Sequence, residues 1–201
     1  DGRYIVFVSN RTGTGSLWRM NIDGSDPVQL TSRRDSSPSF SPDGREVYFT
    51  NFNNNSRTFK VGIDGGEPVP VSEADKPFES ISLSPDGKFI VGRYGMDPKR
   101  PDTLAVLPST GGAPVKEFEL PLGISGGTGW LPDSRSFVYA VVGADKAVNL
   151  FSQPLNGGPA KQITNFTSQR IESFRYARNG DLVLSRGTTS SDVMLITGFM
   201  K

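Results

Sequence analysis

The sequence predicts an all-β fold, a β-propeller of four-stranded antiparallel blades, and three observations carry that expectation. A Pro-Asp-Gly turn feeding a short apolar strand recurs along the chain, a second glycine-containing landmark recurs in step with it, and apolar residues come in short runs cut by 23 Gly and 15 Pro. Short apolar runs bounded by turn-formers read as strands, not helices. At 201 residues the chain can bury one sizeable core, and all-β folds of this length are commonly one domain.

The first landmark puts Asp1-Gly2 before RYIVFVSN, Asp43-Gly44 before REVYFTN, Asp86-Gly87 before KFIVGRYG, Asp133-Ser134 before RSFVYAVV and Asn179-Gly180 before DLVLSRG, at spacings of 42, 43, 47 and 46 residues. The second is Ile22-Asp23-Gly24, Ile63-Asp64-Gly65-Gly66, Pro108-Ser109-Thr110-Gly111-Gly112 and Leu155-Asn156-Gly157-Gly158. A third, an apolar pair and then a hydroxyl, follows in Gln29-Leu30-Thr31, Pro70-Val71-Ser72 and Gln162-Ile163-Thr164, whereas the third unit has EFEL. A period in the forties with four strand-like runs per unit is that of propeller blades.

Each unit reads as strand, turn, strand, loop, strand, turn, strand, named A to D from the axis outward. In the second unit these fall at residues 37–40, 46–50, 58–61 and 68–71. The B strands IVFV, FVYAVV and LVLS are almost wholly apolar, as suits a strand covered on both faces. Proline sets φ for the A-to-B turn, Asp accepts neighbouring amides, and Gly takes the positive φ. The turn aspartates are therefore expected to be structural, not a calcium or catalytic ring.

Blade units fall at about 1–42, 43–85, 86–132, 133–178 and 179–201 of a single propeller domain. The first begins at its B strand (4–9) and the last ends at a C strand (193–199), giving three full blades and two partial ones. That count suggests part of a six- to eight-bladed ring, with further blades upstream. Alone, its open blade faces would favour self-association.

Composition removes several chemistries. Lys and Arg (22) balance Asp and Glu (21) with no basic block, which argues against nucleic acid as a partner. With no His and no Cys, catalytic triads, histidine bases, thiolates and His- or Cys-ligated metals are excluded. No signal peptide or apolar span of membrane length occurs, so direct membrane insertion is not expected. Gly123-Ile124-Ser125-Gly126-Gly127 matches the G-x-S-x-G nucleophile elbow, but that motif needs a strand-to-helix turn and a His. It is read as a D-to-A connection. No phosphate loop or kinase motif is present. Catalytic residues, metals and cofactors are expected to be none.

Propellers bind through the face formed by D-to-A and B-to-C loops and through the channel lined by A strands. The candidate ligand-binding residues are Arg11, Arg33, Arg34, Asn53, Arg57, Phe78, Arg100, Lys146 and Arg170 on that face, with Arg175 in the channel. Lys76, Lys99 and Gln169 join the same rim, and Asp35, Asp75, Glu79, Asp97, Asp145 and Glu172 offset its charge. Arg175 is expected to pair with Glu172, and Trp18 and Trp130 to be core residues.

The blocks SPSFSPDGREVYFTN and SISLSPDGKFIVGRYG resemble the WD-repeat-like propeller repeats of the TolB type. Such repeats occur in periplasmic TolB, in prolyl oligopeptidase propellers and as sensor-like tails of bacterial serine/threonine kinases. The resemblance spans essentially the whole chain, and the closing LSRGTTSSDVMLITGFMK is similar to the ends of kinase-linked propellers. It implies a non-catalytic sensor or scaffold module that binds a protein, a peptide or a small ligand. A periplasmic or extracytoplasmic location is favoured. The alternatives it leaves open are the gating propeller of a prolyl-oligopeptidase-like peptidase and a TolB-like periplasmic scaffold.

Overall fold

The structure, a computed structural model, describes residues 2–73, 75–95, 103–120, 123–177 and 180–188. The first sheet holds β1 (Tyr4–Ser9), β2 (Ser16–Asn21) and β3 (Val28–Gln29). The second holds β4 (Asp35–Phe40), β5 (Glu46–Asn51), β6 (Arg57–Gly62) and β7 (Gly65–Pro70), and the third β8 (Phe78–Leu83), β9 (Phe89–Tyr94), β10 (Thr103–Pro108) and β11 (Lys116–Glu119). The fourth holds β12 (Ile124–Trp130), β13 (Ser136–Val142), β14 (Val148–Pro154) and β15 (Lys161–Gln162), and the fifth β16 (Arg170–Tyr176) and β17 (Leu182–Gly187). Every sheet is an antiparallel meander in chain order. The expected closing C strand at 193–199 lies outside the described residues.

Each pair of neighbouring sheets shares one apolar cluster. Leu17 and Leu30 meet Val47, Phe49, Phe59 and Val61 between the first and second sheets. Tyr48 and Val71 meet Phe78, Ile90 and Leu107 between the second and third. Val91, Leu104 and Phe118 meet Trp130, Phe137 and Tyr139 next, and Val138, Ala140 and Leu150 meet Ile171 and Phe174 last. Successive B-strand residues point to opposite faces, so Ile90 serves one interface and its neighbour Val91 the other. This is why the B strands carry unbroken apolar runs.

The three sequence landmarks each have a backbone task. In the A-to-B turn, Ser41 Oγ donates to Asp43 Oδ1 (2.6 Å), the Arg45 amide donates to the same oxygen (3.1 Å), and the Glu46 amide donates to Ser41 Oγ (2.9 Å). Ser84, Asp86, Lys88 and Phe89 repeat the arrangement at 2.6, 3.1 and 3.0 Å. Ser134 keeps the left-handed backbone (φ 58°) where the other turns use Gly. The C-to-D turn is tied by the Ser25 amide on Asp23 Oδ1 (2.9 Å). The hydroxyl after the D strand caps its sheet, for Thr31, Ser72 and Thr164 accept the amides of Leu17, Thr58 and Leu150 at 3.0, 3.0 and 2.8 Å.

These turns predict an acid sensitivity. The Ser41 hydroxyl and the Arg45 amide hold the Asp43 carboxyl below its ordinary 3.8. For Asp86 partial burial pushes upward, but the Ser84 hydroxyl, the Lys88 amide and the Lys88 charge outweigh it and the net direction is down. A carboxyl lowered on folding stabilises above its unfolded value and loses that contribution as pH falls through the folded one. The urea midpoint is therefore expected to drop between about pH 5 and about pH 3, and the paired Asp43→Asn and Asp86→Asn changes to flatten the drop. An equal drop in the variant would contradict this.

Each A strand carries a bulge: at Ser36/Ser39, Glu79/Ser82, Ser125/Thr128 and Ile171/Ser173. Ser37 (φ 54°), Ser80 (φ 53°) and Gly126 (φ 73°) take left-handed backbone there. This corrects two expectations. The first A strand starts at Asp35, not residue 37, because Ser-Ser-Pro reads as loop when it is bulged strand. Of the Gly123–Gly127 stretch only Gly123 belongs to the connection, while residues 124–127 open innermost strand β12, with Gly126 filling the bulge position.

The outward face of the first sheet carries Ile5, Phe7, Trp18 and Met20, paired Ile5 with Met20 and Phe7 with Trp18. Trp18 is half-buried and belongs to none of the four clusters, contrary to expectation, whereas Trp130 is buried as expected.

Candidate functional site

The D-to-A and B-to-C connections emerge on one face, as the up-and-down order of each sheet requires. On the second sheet the Phe52 amide donates to the Arg34 carbonyl (3.0 Å), tying the two connections together. This brings Arg33, Arg34, the short 3-10 turn Phe52–Asn54 and Asn53 to one corner, with the Arg34 guanidinium 5.9 Å from the exposed Phe52 ring. Asn55 and Ser56 follow with successive left-handed φ of 54° and 51°.

The other expected site residues spread further. Arg11 donates through Nε to Ser9 Oγ (2.9 Å) and lies 4.7 Å over the Trp18 ring, on the outward face of the first sheet. Arg57 is half-buried, donates to the Ser72 carbonyl (2.6 Å) and covers Phe59, so it is a bracing residue. Lys146 and Arg170 are exposed on the fourth and fifth sheets. Arg100 lies outside the described residues, as do Lys99 and Asp97.

Two expectations are corrected. Phe78 is fully buried, its ring edge-on to Tyr94 at 6.1 Å, because it opens β8 with its side chain turned into the interface. It cannot present itself on the loop face. Arg175 does not pair with Glu172: its Nη1 donates to the Phe174 carbonyl (2.8 Å) instead. It lines a hollow of about 590 Å³ with Phe40, Pro85, Trp130 and Tyr176, near the A-to-B turns and away from the loop face.

The structure brings together groups that the sequence did not connect: Asp35 and Lys76, expected on the rim, meet Asn51, Glu73 and Tyr94, which the sequence did not single out. Between the first and second sheets, beside Arg33, opens a cleft of about 350 Å³. Asp35 and Asn51, register partners on β4 and β5, turn into it, with Asn51 Nδ2 donating to Asp35 Oδ1 at 2.6 Å. Over the third sheet, Tyr94 donates to Glu73 Oε2 (3.1 Å) and Lys76 lies 5.0 Å from the Tyr94 ring. The Tyr94 hydroxyl holds the Lys76 ammonium above its usual value, while burial pushes the Tyr94 phenol up. No sequence pattern announces either group, since strand register makes the first and the approach of a connection to the end of β9 makes the second.

Among the described residues no three His, Cys, Asp or Glu side chains gather to hold a metal ion, and no helix is long and apolar enough to cross a membrane. Ser125 lies in a strand, paired with Ala140 and without a histidine anywhere in the chain, so the elbow geometry of a serine hydrolase is not formed around it.

No family model matches the chain. A TolB homologue of Chlorobaculum tepidum is 42% identical over 75 residues, which is 36% of this chain and 17% of that protein. An uncharacterised protein of Agrobacterium fabrum is 28% identical over 138 residues, 64% of this chain and 43% of that one. The chain thus spans less than half the length of these curated relatives. Among solved structures, TolB of Acinetobacter baumannii superposes with a TM-score of 0.75 at 18% identity, over 95% of this chain and 48% of that one. The acylaminoacyl peptidase of Pyrococcus horikoshii superposes with a TM-score of 0.61 at 18% identity, over 84% and 32%. The fold is a TolB-like β-propeller.

Proposed function

We propose that residues 1–201 form one propeller domain, in the blade units read from the sequence, that serves as a non-catalytic binding scaffold for a protein or peptide on its loop face. The observation that carries the reading is the division of labour between the two ends of the sheets. At one end the Pro-Asp-Gly turns spend their polar groups on their own backbone. At the other, Arg33, Arg34 and Asn53 stand exposed at a tied corner, free to vary without disturbing the blades. A periplasmic setting accords with the TolB likeness, and a sensor role in a larger bacterial protein, including one tied to a kinase, remains part of the proposal. The outward face of the first sheet, with Ile5, Phe7, Trp18 and Met20, supports cover by a further blade or by a second copy.

The gating propeller of a peptidase is the second reading, favoured only by the likeness to acylaminoacyl peptidase. The two differ in what the corner should do. For a scaffold, Arg33→Glu with Arg34→Glu is expected to weaken capture of a partner at least tenfold, about 1.4 kcal/mol or more. The urea midpoint should barely move, since surface changes stay within about 0.5 kcal/mol. Unchanged capture by the folded double variant would remove the corner from the interface.

A further inference from the structure

We propose that the cleft between the first and second sheets is a binding site for a guanidinium group on an aliphatic stem. Asp35 is 3% exposed and Asn51 1%. Their single mutual hydrogen bond uses Asp35 Oδ1 and Asn51 Nδ2, which leaves Asp35 Oδ2 and Asn51 Oδ1 buried with no partner. A carboxylate placed there without a counter-charge is costly, because burial strips its water and one neutral amide does not replace a cation. Among the described residues no ion pair reaches Asp35, whereas Asp26, Asp64, Glu46 and Asp86 each have a cationic partner.

The unmet need is two acceptors and one negative charge. A planar guanidinium supplies donors to two acceptors at once and a delocalised positive charge, and it stacks on aromatic faces. The walls suit its stem. Phe49 and Phe59, stacked at 6.0 Å and 22°, line the cleft with Leu30. Arg57 already lies 5.5 Å over Phe59, an internal example of the same contact, but its Nε is committed to the Ser72 carbonyl. A metal ion is the poorer fit, since Ca²⁺ wants six to eight oxygens and no acidic trio exists among the described residues. The volume, about 350 Å³, equals roughly twelve waters at about 30 Å³ each, enough for an arginine side chain. Exposed Arg33 at the rim opposes a second cation, and exposed Glu67 favours one. This site does not depend on what the loop face binds.

The test is an amide NMR titration of the 201-residue chain with N-acetylarginine methylamide, its neutral citrulline counterpart, and agmatine. The arginine compound is expected to shift the Thr31, Asp35 and Asn51 amides saturably and the citrulline compound not to. Agmatine binding as tightly as the peptide-like probe would point to a free small guanidine as the natural source, and weaker agmatine binding to a peptide side chain; either supports the site. Asp35→Asn should raise Kd about tenfold. Because that change could also loosen the blade, Arg33→Ala is the independent variant: it leaves the buried pair intact and should lower Kd about threefold by removing a like charge. Equal shifts with arginine and citrulline compounds, or no saturable shift in either the native chain or Arg33→Ala, would overturn the proposal and leave the cleft to water.

Discussion

Replacing Phe137 with alanine is expected to cost about 3–5 kcal/mol, as emptying a buried aromatic site does. Phe137 is fully buried at the interface of the third and fourth sheets. Its ring meets the edge of Phe118 at 5.1 Å and of Trp130 at 6.2 Å, so one side chain joins outer strand β11 to innermost strand β12 of the next sheet. Removing it leaves a void that rigid neighbouring sheets cannot close by shifting together, and void volume sets the cost at fixed chemistry. Set against total stabilities of about 5–15 kcal/mol, the loss should be visible as a large fall in the urea midpoint. Val183→Ala is the control, because Val183 is 62% exposed and the change should stay within about 0.5 kcal/mol. Similar losses from the two would contradict the packing described.

Gly92→Val should cost about 3 kcal/mol, by overpacking instead of by a void. A Cβ at Gly92 would stand 2.8 Å from the Glu79 carbonyl oxygen and 2.9 Å from both the Phe78 ring and Ile81 Cγ2. The carbonyl belongs to the backbone of bulged strand β8, so it cannot swing aside as a flexible side chain could. Gly187→Ala is the contrast, having open space at the Cβ position and no left-handed backbone, and it should be nearly neutral. Thermal melts of both variants decide the point, and equal melting temperatures would refute the close approach at Gly92.

The fold was legible because its causes are local. Asp43, Gly44, Asp86 and Gly87 act within their own turns, so a motif of a few residues reports the turn whatever surrounds it. The post-strand hydroxyls were visible as a pattern for the same reason, although their task as acceptors for C-strand amides appears only in three dimensions. The bulges were not legible. Ser37 and Ser80 adopt a backbone that serine seldom takes, and nothing in their neighbours demands it before the sheet is built.

The loop face proposed for binding was legible as loops but not as side chains. Phe78 looked like a rim residue because a charged connection with Glu73, Asp75 and Lys76 precedes it; its strand phase turns it inward. Arg57 looked like a free cation because arginine is seldom buried; the Ser72 carbonyl and the Phe59 ring hold it. Asp35 and Asn51 are 16 residues apart and meet only through strand register.

Successive sheets meeting face to face around one axis is the claim on which the rest stands, and Trp130 reports on it directly. Its indole N–H donates across the sheet boundary to the Ser82 carbonyl at 2.9 Å. A nuclear Overhauser spectrum should therefore connect the Trp130 indole proton to backbone protons of Ser82 and Leu83, and the Phe174 ring to Gly129, whose Cβ position lies 2.9 Å from that ring. Both sets of cross-peaks in the folded chain are the expected result. A spectrum with the strands formed but neither set present would mean that the sheets are stacked in some other order.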